Sequence, residues 1–249
     1  MRDDASEDMR FLNEWIGRTD GHANKPGNHG NPARGIFVIG TDTDVGKTYV
    51  SCLLVRHLAA RGLRVGVYKP VASGLVAGQP SDAERLMAAT GQTWPAERVC
   101  PQSFAAPLAP PLAAARAGER IDEALLAGGV QWWRNQCDAL VVEGVGGACS
   151  PLSGSSTVLD LAMQLNYPLV LVAGHRLGMI NHTLLTLEAV ERRGLTPLAL
   201  IVNEVIDPAG READAVQLAE SLEMLAAFCG HLPCWTLEHG ATALSPTAT

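Results

Sequence analysis

Nine residues, GTDTDVGKT from Gly40 to Thr48, constrain this chain more than any other stretch. Gly40, Gly46, Lys47 and Thr48 meet the G-x-x-x-x-G-K-[ST] pattern of a phosphate-binding loop. Glycines let the backbone curl until successive N–H groups point inward at a polyphosphate, and the helix that follows presents its positive end. In that pattern the lysine reaches the β- and γ-phosphates and the Thr48 hydroxyl ligates Mg²⁺. The flanks agree with this reading. GIFVIG before the loop has the pattern of a short buried strand, and YVSCLLVRHLAARG after it repeats apolar residues at helical spacing. Strand, loop and helix in that order make a nucleotide-binding unit, which an incidental glycine-rich turn with a surface lysine has no need of.

From Gly35 onward strands and helices alternate. RVGVYKP, DALVVEG, YPLVLVAG and TPLALIVNE read as strands. Helical patterns fall at 82–90, 121–136, 157–165, 178–193 and 209–228, with a short one in LAAARAG and a last short strand near Cys234. The stretch up to about residue 120 is broken by Pro95, Pro101, Pro107, Pro110 and Pro111. Strands of nearly uniform Val, Ile and Leu are buried on both faces, so the expected fold is α/β of the P-loop NTPase type, a mostly parallel sheet with helices on both faces. Residues 35–249 show no linker and no repeat, and read as a single domain. Residues 1–34 read as a flexible N-terminal extension. Met9, Leu12, Trp15 and Ile16 make one apolar face of a short helix, and GHANKPGNHGNPARG has the composition of a flexible linker.

Composition narrows the partners. A net charge of −7 argues against nucleic acid or an anionic membrane. No apolar run reaches the ~18 residues that span a bilayer. The opening MRDDASEDMR is acidic and lacks an apolar core, so a cytoplasmic location is expected. The six cysteines form no C-x-x-C pair and read as reduced core thiols, and the seven histidines show no zinc spacing. The only metal expected is the one that comes with the nucleotide.

In a parallel sheet ligands bind beyond the carboxyl ends of the strands, which makes the polar residues there the candidates. Lys69 follows the second strand in VYKPVASG and is one of three lysines in the chain, with Lys25 and Lys47. Its ammonium there would stabilise charge on a transferring phosphoryl group. Glu143 ends DALVVE ahead of GVGG, where a Mg²⁺-binding carboxylate sits in proteins with this loop. Asn203 ends LALIVN, and its amide matches the donor–acceptor edge of adenine, although a strand-end turn would use the same residue. Asp82 in PSDAERL reads, on its own, as a helix cap with Glu84 in the first turn.

GTDTDVGKT, YKPVASG, VEGVGG, RLGMINHTLLT and IVN, in that order and over about residues 35–240, resemble the dethiobiotin synthetase family. The resemblance implies an ATP-dependent cyclo-ligase that closes a cyclic urea from 7,8-diaminononanoate and CO₂, giving dethiobiotin, ADP and phosphate. It implies that Asp44, Val45, Gly46, Lys47 and Thr48 hold ATP and that Thr48, Asp82 and Glu143 hold Mg²⁺, which reverses the capping preference for Asp82. Asn203 and Pro233 would embrace adenine, Lys69 and Lys47 would be catalytic, and Thr43, Ser73 and Gly146 would contact substrate. It further implies a homodimer with the diamine near the interface, its carboxylate received at Leu177, Gly178 and Asn181 from the partner subunit. The sequence departs from the family at Asp44, where glutamate is common, at Arg176, where lysine is commoner, after Asn203, and in a short unhelical C-terminus.

Three rivals share the loop. A ParA-type regulatory ATPase carries a lysine early in its loop, where this chain has Asp42 and Thr43. A cobyrinate-type amide ligase needs a glutaminase domain that 249 residues do not hold. A nucleotide-binding module without catalysis has no use for Lys69.

Overall fold

The structure, a computed structural model, describes residues 9–17, 34–205, 212–230 and 232–247, with 212–216 described by backbone alone. The strands are β1 (Arg34–Gly40), β2 (Val65–Tyr68), β3 (Val71–Ser73), β4 (Gln102–Phe104), β5 (Ala139–Glu143), β6 (Leu169–Gly174), β7 (Pro197–Asn203), β8 (Cys234–Leu237) and β9 (Ser245–Pro246). The helices are α1 (Arg10–Gly17), α2 (Lys47–Ala60), α3 (Asp82–Ala89), α4 (Ala96–Val99), α5 (Pro110–Arg116), α6 (Glu123–Gly128), α7 (Val130–Trp133), α8 (Val158–Leu165), α9 (Met179–Glu191) and α10 (Glu212–Cys229).

Among the described residues seven strands form one sheet in the order β2-β5-β1-β6-β7-β8-β9, parallel throughout except for β9. Every residue of β2, β5 and β6 is buried, which requires cover on both faces and accounts for their unbroken apolar sequence. β1 lies inside the sheet, third in that order, with β5 on one side and β6 on the other. The chain crosses to opposite sides of β1, so the crevice at its carboxyl end is the switch point where such sheets bind ligands.

Register brings the strand ends level. Val38 pairs with Glu143 and Tyr68 with Val142, so Lys69 emerges beside Glu143. On the other side Gly174 pairs with Asn203 and Asn203 with Leu237.

Two features depart from the sequence expectation. The helix expected at 121–136 is two short ones, α6 and α7, separated at the Gly128–Gly129 pair. The proline-rich stretch holds α4 and also β4, which pairs in parallel with β3 in a separate two-stranded sheet.

The margins of the main sheet are closed. Outside β2, the Lys69 amide donates to the Val99 carbonyl at 2.8 Å and the Trp94 indole Nε1 to the Val65 carbonyl at 3.2 Å. At the far side β9 ends on Pro246, which has no N–H to offer.

α1 uses the apolar face read from the sequence. Met9, Leu12 and Trp15 are buried, together with Phe11, whose ring centroid lies 4.5 Å from that of Trp235 in β8. The Arg34 guanidinium donates to the Ile16 carbonyl at 3.1 Å, and the His57 Nε2 of α2 to the Asn13 amide oxygen at 3.1 Å. The linker at 18–33 lies outside the described residues.

Candidate active site

The phosphate-binding loop runs from the end of β1 into the first turn of α2. Gly46 adopts φ +88, and a Cβ there would stand 2.0 Å from Asn203 Nδ2, so glycine is required twice over. Asp44 also has a positive φ, 55, a conformation that aspartate tolerates better than most residues. Val45 turns its side chain into the core, against Gly174, and its carbonyl accepts from Asn203 Nδ2 at 3.1 Å. Its part in the site is therefore to shape the loop. Lys47 folds back over the crown of the loop, Nζ donating to the Asp42 carbonyl at 2.9 Å. Burial, with the charge of Lys69 adding to it, brings the Lys47 pKa down to about 8.

Beside the loop stands a buried ionic cluster. Lys69 Nζ lies 2.6 Å from Glu143 Oε1, 3.1 Å from Asp82 Oδ2 and 3.1 Å from the Gly144 carbonyl. The same Glu143 oxygen accepts from the Thr48 hydroxyl at 2.8 Å. Lys69 and Glu143 are almost completely buried. Burial works against the Lys69 ammonium, but Glu143 and Asp82 beside it outweigh that and raise its pKa. Burial likewise opposes the charged form of Asp82, and the Lys69 charge with hydrogen bonds from Lys69 and Thr48 lowers its pKa all the same. Lys69 is thus held charged in a place where an unpaired ammonium would shed its proton.

α3 delivers Asp82. Its cap is Ser81 and not Asp82: the Glu84 amide donates to Ser81 Oγ at 3.2 Å and the Ser81 amide to the Glu84 carboxylate at 2.7 Å, a capping box. Asp82, in the first turn, is left for Lys69.

Thr43, Asp44, Gly46, Lys47, Thr48, Lys69, Ser73, Asp82, Gly146 and Asn203 line one cleft of about 940 Å³. Glu143 forms its buried floor through Lys69 and Thr48. Leu177, Gly178 and Asn181 lie elsewhere, in a groove of about 1010 Å³ bordered by Met224 and Phe228, with Leu177 fully exposed. Arg176, on the rim of that groove, pairs with Asp42 of the loop at 2.5 Å. Pro233 is not brought to the cleft. It precedes β8, where its carbonyl accepts from the Leu200 amide, three residues short of Asn203. The residues that β8 does contribute come after its other end, His239 and Gly240. Tyr49 and Val205 complete that wall. The rule that singles out Asn203 singles out His239 as well once β8 is located, because both follow a strand's carboxyl end.

Among the described residues no group of three His, Cys, Asp or Glu side chains could hold a metal. One atom nevertheless asks for a partner: Glu143 Oε2 is buried without a hydrogen bond.

The AAA domain family matches residues 34–233. The ATP-dependent dethiobiotin synthetase BioD of Anaeromyxobacter dehalogenans strain 2CP-C is 49% identical over 170 residues, 68% of this chain and 76% of that protein. The protein of the same name from Aromatoleum aromaticum is 43% identical over 197 residues, 77% of this chain and 84% of that protein. Among solved structures, that of pNOB8 ParA bound to nonspecific DNA superposes with a TM-score of 0.50 over 80% of this chain and 76% of that one, at 13% identity, a likeness of fold alone.

Proposed function

This chain belongs to the dethiobiotin synthetase family, an ATP-dependent enzyme of biotin biosynthesis, and we propose that its cleft joins 7,8-diaminononanoate and CO₂ into a cyclic urea. The observation that carries the reading is Lys69, a buried and charged ammonium fixed between two carboxylates at the mouth of a phosphate-binding loop. A switch or a binding module has no use for such a group. A reaction that moves negative charge from a carbamate to a phosphoryl oxygen and on to free phosphate does.

In the proposed sequence one substrate amine adds to CO₂ and loses a proton, giving a carbamate. A carbamate oxygen attacks the γ-phosphorus of ATP, and ADP leaves. The second amine attacks the carbonyl carbon of the mixed anhydride and gives up a proton, closing the ring as the C–O bond to phosphate breaks and hydrogen phosphate leaves. Lys47 and the loop amides would hold the β- and γ-phosphates, and Lys69, which lines the same cleft, would serve both the carbamate and the phosphoryl oxygens. Thr43, Ser73 and Gly146 line the substrate side. Positioning and charge neutralisation suffice for such steps without a protein nucleophile.

The oxygens of Thr48, Asp82 and Glu143 suit a hard divalent cation, and the unpartnered Glu143 Oε2 supports the assignment. Mg²⁺ held there would neutralise charge on the phosphates. Asn203 is proposed to meet the adenine.

A homodimer is proposed with this chemistry, since Leu177, Leu185, Met224 and Phe228 leave an apolar face exposed along α9 and α10. The groove holding Leu177, Gly178 and Asn181 would then receive substrate bound mainly to the other subunit. No helix among the described residues is long and apolar enough to cross a membrane. A cytoplasmic location is proposed, and six unpaired cysteines are in keeping with a reducing compartment. Residues 35–249 are taken as the catalytic domain and 1–34 as an addition to it.

The test is ADP release measured with and without 7,8-diaminononanoate and bicarbonate. Release that needs both is expected. ADP release at the same rate without them would replace the synthetase with a plain ATPase.

A further inference from the structure

At one end of the cleft the chemistry above uses Asn203 alone. On the side of β1 opposite to Lys69, its wall consists of Asn203, Val205, His239, Gly240 and Tyr49. His239 and Gly240 belong to a turn after β8, in which Gly240 has φ +74 and the Ala241 amide donates back to the Glu238 carbonyl at 3.0 Å. Residues 238–240 are exposed, so little apolar burial fixes the turn and hydrogen bonds must place it.

Those bonds come from two sides. Glu204, after β7, accepts from the His239 amide at 3.3 Å, while its own amide donates to the Leu237 carbonyl at 2.9 Å. From the other side Tyr49 donates its phenol to the Ala241 carbonyl at 2.7 Å. Tyr49 directly follows Thr48, so this single bond ties the first turn of the phosphate-gripping helix to a turn 192 residues later. Tyr49 and the turn that it holds line the same wall of the cleft.

We propose that Tyr49 is a positioning residue for the nucleobase: its hydroxyl fastens the 238–241 turn so that a planar purine is held between that turn and Asn203. The proposal rests on the cleft being the ATP site. It separates two contributions to affinity. The loop amides and Lys47 grip the polyphosphate whether or not the tether exists, and the tether acts only on a ligand that carries a base.

Two ligands and one substitution test it. Tyr49→Phe keeps the ring and deletes only the hydroxyl, so folding is not at stake, and an unchanged thermal midpoint without ligand checks this. Binding of ATP and of inorganic tripolyphosphate, each with Mg²⁺, is measured by calorimetry for wild type and variant. ATP affinity is expected to fall about three- to tenfold, as for the loss of one hydrogen bond, and tripolyphosphate affinity to stay within about twofold. Equal weakening of both ligands would mean that Tyr49 acts on the phosphate loop, and no weakening of ATP would mean that the tether places nothing; either overturns the proposal. A wild type that binds tripolyphosphate but gains nothing from the base of ATP also overturns it, while leaving the loop assignment intact. A wild type that binds neither ligand removes the ATP site itself, and the proposal with it.

Discussion

Lys69 is the side chain whose replacement is most informative. Removing one partner of a buried ion pair costs about 3–5 kcal/mol, against a whole stability of about 5–15 kcal/mol for a typical domain. Lys69→Gln keeps a hydrogen-bond donor for Glu143, so the variant is expected to fold with a lower thermal midpoint and still bind ATP through the untouched loop. Its ring-closure rate is expected to fall about a hundredfold or more, the scale of losing a transition-state electrostatic partner. Single-turnover formation of the cyclic urea, measured beside ATP affinity, checks this, and a wild-type rate would make Lys69 a structural cation only. Gly46→Ala tests the opposite kind of residue, one whose value lies in having no side chain. Its Cβ would stand 2.0 Å from Asn203 Nδ2 at φ +88, so ATP binding is expected to be lost in a titration that wild type passes. Lys69, Glu143 and Asn203 were legible because each ends a strand whose apolar run is unmistakable. Asp82 was legible only through the family motif, since a serine one position earlier takes the cap. The wall made by His239 and Tyr49 escaped although a short strand near Cys234 was expected, because four residues in a tail rich in turn formers do not show where that strand ends.

α1 shows what periodicity gives and what it withholds. The spacing of Met9, Leu12, Trp15 and Ile16 specifies an apolar helix face, yet nothing in it names β8 and α2 as the surface that face covers. The docking of Phe11 on Trp235 is a contact between residues 224 positions apart. Leu12 is completely buried there, so Leu12→Ala is expected to lower the unfolding free energy in urea by about 2–5 kcal/mol while ATP affinity holds. A negligible change would mean that α1 is no part of the cooperative fold. His57 reports on the same contact. Burial, with the charge of Arg61 adding, lowers its pKa from 6.5 to about 4. The unfolded chain takes up that proton below pH 6.5 and the folded chain resists until about pH 4, so stability is full above this window and falls as pH drops through it. The pairing of Asp82 with Lys69 acts in another window, being lost as pH falls below 3.8. His57→Gln is therefore expected to flatten the melting-temperature curve between pH 6.5 and 4, and an undiminished slope there would assign the loss to other groups. The small β3–β4 sheet was illegible for a simpler reason. Three residues are too few for any alternation to register.

For the molecule as a whole, the order of the strands follows from their being uniformly apolar and separated by helices, whereas which strand lies beside which does not. The place of β1 between β5 and β6 comes from tertiary pairing alone. The proposed homodimer rests on resemblance, and the exposed Leu177, Leu185, Met224 and Phe228 are in keeping with it. Sedimentation at micromolar concentration is expected to show twice the 26.3 kDa of the chain. A monomer with full turnover at that concentration would end the proposal of a shared substrate site. The closed margins of the sheet bear on the same question from another side. Trp94 and Val99 lie against the rim of β2, and β9 is two residues long and ends on a proline, so the main sheet presents short, obstructed margins to a neighbour's strand. Among the described residues the main sheet thus offers a neighbour's strand little to pair with, and contact between copies is expected on the exposed apolar residues of α9 and α10. A warmed solution should accordingly stay clear until the fold itself gives way, with turbidity following the loss of structure and never preceding it.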